Sequence, residues 1–360
     1  MTRFAFIVHP LTPRDAAAKY PIAKYVPEGI LKAFLKRKSP VVMSSKATVE
    51  SVTCAKTEGW FIACPLTPDM MIRELPLEVV YDRIVACTKL AKELGADLVG
   101  LGAFTSVVGD GGITIAQRSP LPVTTGNSYT VATAIEGTMK AAELVGVDFP
   151  QATLAVVGAT GSIGKTCARI LGRQFGRTLI IGRDMAKTEA VVNEIGLGEP
   201  IIDLKRLIEA DVVITVTSSD SEIIMPENLK PGAIVCDVAR PRDVSVRVGN
   251  ERPDVLVIEG GVVSVPGNPD FGFNFRFPRG TAYACMSETI MLALEGRAES
   301  FTLGKDVSED QVETTWALAK KHGFTLSQFR AFEKVVDDTA IARAREARAI
   351  SQQQLVSATG

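Results

Sequence analysis

No two of the six cysteines, at positions 54, 64, 87, 167, 236 and 285, fall at the spacing of a zinc site or a disulfide framework. They read as reduced thiols, and no metal site is expected. An excess of one charge is missing as well. Forty Lys and Arg against 41 Asp and Glu leave a net charge of −1, which removes the electrostatic case for nucleic acid or an anionic membrane surface. No apolar run is long enough to span a bilayer as a helix. The opening Met1–Pro10 carries only a short apolar stretch, closed by His9 and Pro10, without the length or cleavage site of a secretory signal. A cytoplasmic compartment is the expectation. Histidine is scarce, and His9 and His322 both read as structural.

What is present points to an α/β enzyme. At 360 residues and 46% hydrophobic content, the chain is long for one core and suggests two domains with an appendage. Phe4–Val8 reads as a strand, and Tyr20–Arg37 as a basic, loosely amphipathic segment. Ala47–Cys54 and Gly59–Ala63 suit a hairpin, with Lys56-Thr57-Glu58-Gly59 as its turn. Apolar residues at helical spacing mark Pro76–Leu94, which Gly95 stops. Asp97–Leu101 is a short buried strand and Gly102–Ser106 a loop. The small polar cluster Thr124-Thr125-Gly126-Asn127 precedes a helix from Tyr129 to about Val145. Unpaired N–H groups at such a helix start can meet a ligand oxygen, although spacing alone favours simple capping by Thr125 or Asn127.

The middle of the chain is the most legible part. The apolar strand Thr153–Val157 runs directly into Gly158-Ala159-Thr160-Gly161-Ser162-Ile163-Gly164, and a helical pattern follows over Lys165–Phe175. Further strands are Thr178–Ile181, Val212–Val216, Ala233–Cys236 and Leu256–Ile258. This alternation predicts a Rossmann-type, doubly wound parallel sheet, with a smaller N-terminal α/β domain and C-terminal helices. Boundaries are expected near 1–128, 129–280 and 281–360. In the glycine turn, Gly158 allows the tight reversal, Gly161 lets a pyrophosphate approach the backbone, and Gly164 allows close helix–strand packing. Dinucleotide binding is the reading, with Thr160, Ser162 and Ile163 completing the cradle; Thr217, Ser218 and Gly260 join them past later strands. Arg183, the first side chain beyond the second strand, stands where NAD enzymes usually place an acid. Pairing with a 2′-phosphate makes NADPH the expected cofactor. Asp184 reads as a cap of the next helix.

Cys285, in Gly280–Thr289, falls near a helix start, where the macrodipole and free N–H groups favour a thiolate. Spacing alone favours a buried, apolar role for it. Cys64, ahead of Pro65, is a second candidate thiol.

Several segments together resemble the long-chain fatty acyl-[acyl-carrier-protein] reductases, NADPH-dependent enzymes that supply aldehydes for alkane biosynthesis. They are Ala63–Met70, Leu101–Ser106, Thr124–Asn127, Gln151–Gly164, Glu259–Val263, Ala284–Glu288 and His322–Phe324, and the likeness extends from the N-terminus to about Phe324. It implies that Cys285 is the nucleophile that takes the acyl group as a thioester, which NADPH then reduces to an aldehyde. Phe104, Ser106, Thr125, Gly126 and Asn127 are the candidate substrate contacts. Backbone N–H groups near Thr125–Asn127 or Gly260–Gly261 are candidates to stabilise the oxyanion. The implied partners are an acyl-carrier protein or acyl-CoA, an enzyme that consumes the aldehyde, and a second copy of the chain.

The chain departs from this family at Asp237–Asp243, where members carry a Gly-Gly-Tyr-Pro-Lys-Asn-like segment. It departs again at Pro266–Arg279, a candidate acyl-tunnel lining. The charged, helix-like Leu326–Ile350 lies beyond the likeness, packing through Phe329, Phe332 and Val336 or forming an oligomer contact. Two alternatives stay open: a shikimate- or quinate-type dehydrogenase, which needs a Lys and Asp pair not evident in the first domain, and a dinucleotide-sensing protein without turnover.

Overall fold

The computed structural model describes residues 1–18, 21–219, 221–272 and 278–359. Tyr20 and most of the Phe-rich part of Pro266–Arg279 lie outside them. The chain forms two compact units of interleaved segments. One comprises Met1–Tyr129, Val263–Lys305 and Glu313–Thr325; the other comprises Thr130–Val262, Asp306–Val312 and Leu326–Gly360. Residues 281–360 therefore contribute to both.

The first unit is built on β1 (Phe4–Val8), α1 (Glu28–Arg37), β2 (Val41–Val42), β3 (Ala47–Glu50), β4 (Lys56–Ala63), α2 (Leu77–Glu93) and β5 (Leu98–Leu101). The short helices α3 (Phe104–Val107) and α4 (Ile113–Arg118), β6 (Val123–Thr124) and the start of α5 (Asn127–Val145) follow. Its sheet runs β2-β4-β1-β5-β6, with β3 on β4. The β4, β1, β5 and β6 strands are parallel, while β2 and β3 run antiparallel to β4. Phe4, Ala5, Phe6 and Ile7 are all buried, as expected of a central strand covered on both faces.

Two local expectations fail here. Lys56–Gly59 is strand rather than turn, because Ala47 pairs with Gly59 and Glu50 with Lys56. The reversal lies at Ser51–Ala55, where Ser51 N–H donates to Ala55 O at 2.8 Å and Cys54 takes φ 64°. Thr57 is drawn inward, its hydroxyl donating to Thr2 O at 2.8 Å. The expected loop at Gly102–Ser106 winds into α3. Hydroxyls of Thr105 and Ser106 donate back to the carbonyls of Gly102 and Ala103, at 2.7 and 2.6 Å, closing the turn.

The second unit continues with β7 (Thr153–Val157), α6 (Ser162–Leu171), β8 (Arg177–Ile181), α7 (Met185–Ile195), β9 (Glu199–Ile201), β10 (Val212–Thr215), β11 (Ile234–Asp237), α8 (Val246–Glu251) and β12 (Leu256–Glu259). All six strands are parallel, in the order β12-β11-β10-β7-β8-β9. Read from the other edge this is the doubly wound order 3-2-1-4-5-6, and the strand order reverses between β7 and β10. The buried core includes Ala155, Val157, Leu179, Ile181, Val213, Val235 and Val257.

Three further helices complete the chain: α9 (Ala284–Leu294), α10 (Glu309–His322) and α11 (Asp338–Thr359). The expected continuous helix over Leu326–Ile350 is instead a small antiparallel hairpin, Arg330–Ala331 with Lys334–Val335, followed by α11. Phe332 and Glu333 take positive φ at its tip, and the Phe332 ring packs beside Gly249 and under the Arg242 guanidinium. The left-handed turn at Phe332 and Glu333 is what breaks the helix before Asp338.

Candidate active site

In the first unit the C-terminal end of β5 delivers Gly102-Ala103-Phe104 to the start of α9. Ala103 takes φ 46° and ψ −123°, a conformation that costs an L residue of order 1–3 kcal/mol and persists only where its surroundings impose it. Those surroundings are specific. Phe104 N–H donates to His9 Nε2 at 3.1 Å, while His9 Nδ1 lies 3.0 Å from Pro10 O and must carry the proton. Burial holds the His9 pKa below its ordinary value, in keeping with a neutral ring. Ser106 Oγ donates to Ala103 O from the other side.

The twisted turn brings the Ala103 backbone near the Cys285 thiol, where its N–H, with those of Met286 and Cys285 itself, favours the thiolate weakly. Cys285 is the second residue of α9 and partly exposed. Burial of the sulfur nonetheless dominates and pushes the thiol up to about 12, the three N–H groups pulling the other way and Glu288 adding to the rise. The thiolate expected from the helix start is thus outweighed by desolvation, and the resting residue is a thiol. Cys64 and Cys87 are both fully buried; desolvation, with the neighbouring Cys64, raises the Cys87 thiol well above its usual range.

Against Cys285 lies the Thr124–Tyr129 segment, with Gly126 touching the cysteine backbone. Its amides are already engaged: Thr125 N–H donates to Thr302 O at 2.9 Å, Tyr129 N–H to Glu288 Oε2 at 3.0 Å, and Gly126 N–H to the same carboxylate. Phe104, Ser106, Thr125 and Asn127 are all buried. Glu288 was not singled out by the sequence reading. Its signal was an acid within the otherwise apolar and hydroxylic run from Cys285 to Leu294. His322 is a clamp away from this turn, held between Ser51 Oγ at 3.0 Å and Glu295 at 2.9 Å.

In the second unit, the glycine turn follows β7 and opens α6, at the reversal of strand order. Gly158 takes φ 82°, and a Cβ there would lie 2.6 Å from Val216 O. At Gly164 a Cβ would meet Gly158 O at 2.5 Å, so only glycine lets α6 pack this closely. At Gly161 a Cβ would press on Gly158 O at 3.3 Å and meet no other atom within 4 Å, so its other side is open to an approaching group. No side chain caps α6, whereas Asp184 caps α7 through Lys187 N–H at 3.1 Å. A helix start left without a side-chain cap beside an open glycine suits a pyrophosphate. Thr160 lies close to Gly182, and the exposed Arg183 follows it.

Thr217, beyond β10, is held by a residue the sequence did not mark. Asp243, fully buried, accepts from Thr217 N–H at 3.0 Å and from the hydroxyls of Thr215 and Thr217, each at 2.5 Å. Ser218 next to it is exposed. Gly260 is buried and donates its N–H to Asp237 O at 2.8 Å, so that amide is not free for an oxyanion. The divergent Asp237–Asp243 segment encloses Asp237, whose carboxyl accepts the N–H groups of Ala239, Asp243 and Val244. Among the described residues no cluster of His, Cys, Asp and Glu could hold a metal ion, and no helix is long and apolar enough to cross a membrane.

Residues 140–259 match the shikimate / quinate 5-dehydrogenase family. Over 314 residues the chain is 32% identical to aminotransferase PigE of a Serratia species, an alignment covering 84% of this chain and 36% of that protein. The chain thus spans little more than a third of that relative's length. Over 326 residues it is 26% identical to the long-chain acyl-[acyl-carrier-protein] reductase of Synechococcus elongatus, covering 86% of this chain and 94% of that one. Among solved structures, the A chain of dipicolinate synthase from Bacillus subtilis is similar at a TM-score of 0.35 and 15% identity, covering 72% of this chain and 88% of that one. Homology points to a Rossmann-type oxidoreductase using a nicotinamide dinucleotide, related to acyl-[acyl-carrier-protein] reductase and, over residues 140–259, to the shikimate dehydrogenases.

Proposed function

We propose that this protein reduces a fatty acyl thioester, carried by an acyl-carrier protein or coenzyme A, to the aldehyde by way of an acyl group on Cys285. The observation that carries the reading is the turn around Cys285. A strained turn at Ala103 comes close to the thiol, and a glycine lies against the cysteine backbone. A merely buried cysteine needs neither.

The chemistry follows from these residues. The Cys285 thiol adds to the acyl carbonyl, its S–H proton passing to the departing carrier thiol, so that one thioester is exchanged for another. Because Cys285 rests as a thiol, this proton leaves during attack rather than before it. The Ala103 N–H, in the turn nearest the thiol, is the donor we assign to the oxyanion that forms on the attacked carbonyl. Gly158–Gly164, Arg183 and Thr217 would hold NADPH, Arg183 reaching the 2′-phosphate. When bound, NADPH supplies the two electrons and the hydrogen that convert the thioester to an aldehyde. Cys285 then leaves as the C–S bond breaks and regains a proton from solvent.

The test is intact-mass spectrometry of wild type and Cys285→Ala after incubation with a long-chain acyl-CoA in the absence of NADPH. The expected result is an acyl adduct on the wild type only, discharged as aldehyde when NADPH is added. Equal NADPH oxidation by both proteins, with no adduct on either, would overturn the reading. It would leave the direct carbonyl–hydroxyl chemistry favoured by the dehydrogenase match over residues 140–259.

A further inference from the structure

Glu288 lies three residues beyond Cys285 on α9 and is fully buried. Its carboxylate accepts four hydrogen bonds: from Thr124 Oγ1 at 2.5 Å, Thr302 Oγ1 at 2.9 Å, Tyr129 N–H at 3.0 Å, and Gly126 N–H. The partners are themselves linked. Thr302 N–H donates to Thr124 Oγ1 at 3.1 Å, Ser128 and Thr302 share a hydroxyl contact at 2.6 Å, and Thr125 is bonded twice to Thr302 O. No cation pairs with Glu288 among the described residues. Burying a lone carboxylate is costly, and hydroxyls or an amide would staple these segments more cheaply. An ionisable group here is thus poorly explained by stapling alone.

We infer that Glu288 is a positioning residue for the nucleophile: its buried carboxyl group ties Thr124–Tyr129 and Thr302 to the helix turn bearing Cys285 and so sets how the cysteine meets its substrate. This rests on the reading of Cys285 as nucleophile. Geometry carries it. Gly126, bonded to Glu288, is the residue in contact with Cys285, so its placement depends on the carboxylate. Electrostatics adds a readout. Burial raises the Glu288 carboxyl while its hydroxyl and amide donors oppose the rise; once ionised, it opposes a second negative charge on the sulfur, adding to the larger effect of burial.

Other titratable groups on the elements packed here are few. His9 is committed to Phe104 N–H and Pro10 O. On β4, which also contacts α9, Lys56 and Glu58 are paired with Glu50 and with Arg3 and Lys46. Tyr283 precedes the helix, and β1 and β5 present only apolar residues and glycine.

The test compares wild type, Glu288→Gln, Glu288→Ala and Cys285→Ala. Glutamine keeps the shape, accepts from the two backbone donors and donates to the threonine hydroxyls, but removes the charge. Cys285 alkylation by iodoacetamide, followed by peptide mass across pH, reads the thiol; steady-state kinetics with acyl-CoA and NADPH read placement. Glu288→Gln is expected to shift the alkylation midpoint to lower pH while retaining most of kcat. Glu288→Ala is expected to lose about 100-fold in kcat with KM little changed, as for a misplaced nucleophile.

A Glu288→Gln alkylation profile superimposed on wild type would overturn the inference, and so would full kcat in Glu288→Ala. If Glu288→Ala fails to fold, Glu288→Gln still decides. Undiminished thioester turnover by Cys285→Ala would instead sink the nucleophile reading, and the alkylation shift would still report on the carboxylate.

Discussion

Gly126 lies so tightly against Cys285 that no side chain fits between them. A Cβ at position 126 would stand 2.6 Å from the Cys285 carbonyl oxygen and closer still to its Cα and Cβ. Gly126 also takes φ 75°, a left-handed conformation that L residues rarely adopt. Gly126→Ala must therefore push the Thr124–Tyr129 segment away from α9.

The expected cost is about 1–3 kcal/mol of stability, from overpacking together with backbone strain. Displacement by about 1 Å is expected to slow Cys285 acylation about 100-fold. Thermal melting and the rate of acyl-adduct formation check the two parts separately. A variant that melts lower but acylates at the wild-type rate would show that the contact serves packing alone.

Much of the second unit was legible because its signals are local. An apolar strand, three glycines and an amphipathic helix follow one another within Thr153–Leu171, and no distant residue is needed to interpret them. The β3–β4 hairpin was misread for the opposite reason. Lys56-Thr57-Glu58-Gly59 is polar enough for a turn, yet Thr57 and Gly59 face inward because β1 lies alongside, its Phe4 paired with Gly59. That pairing is invisible in the local sequence. The surroundings of Cys285 are likewise non-local: Ala103 and Gly126 reach it from two distant segments. A helix start suggested a thiolate, but burial by the other two segments decides the protonation state.

Arg183 is exposed at the end of β8, and Asp184 is committed to capping α7. The acid nearest this strand end is thus turned toward the start of α7. Arg183→Ala is expected to weaken NADPH binding about ten- to a hundredfold, the worth of a charge-assisted bond to phosphate, and to leave NADH binding unchanged. Fluorescence titration with each dinucleotide measures this. An equal loss for both would place Arg183 away from the 2′-phosphate.

Asp237 makes stability depend on pH in an unusual direction. Burial pushes its carboxyl up to about 7, Asp243 adding to the effect while Arg240 and backbone N–H groups of Val244 and Ala239 oppose it. In the unfolded chain the group titrates near about 3.9. The folded state thus binds this proton more tightly. Its contribution is fully present below the unfolded pKa and is lost as pH rises through about 7. Asp237→Asn removes that dependence at a pH-independent cost of about 1 kcal/mol for one lost hydrogen bond. Between pH 5 and 8 the wild-type Tm is expected to fall relative to that of Asp237→Asn. Parallel curves would mean that Asp237 is ionised throughout.

The C-terminal helix is tied into the second unit by a buried charge pair. Arg348 Nη1 lies 2.7 Å from Asp211 Oδ1, which Lys230 Nζ also approaches at 2.8 Å, while Thr153 N–H donates to Oδ2 at 2.8 Å. Gly232 makes room for the helix, since a Cβ there would stand 2.5 Å from Arg348 N. Removing Arg348 alone leaves Asp211 with one cation and its backbone donor. Arg348→Ala is therefore expected to cost about 1–3 kcal/mol, less than the ~3–5 kcal/mol of a fully broken buried pair. Adding Lys230→Ala strands the carboxylate, so the double variant should lose more than the sum of the singles. Urea unfolding of the four proteins measures the cycle. Additive losses would show that the two cations act on Asp211 independently. A wild-type-like Arg348→Ala would mean that the helix is held by its apolar face, with Ala344 at its centre, rather than by charge.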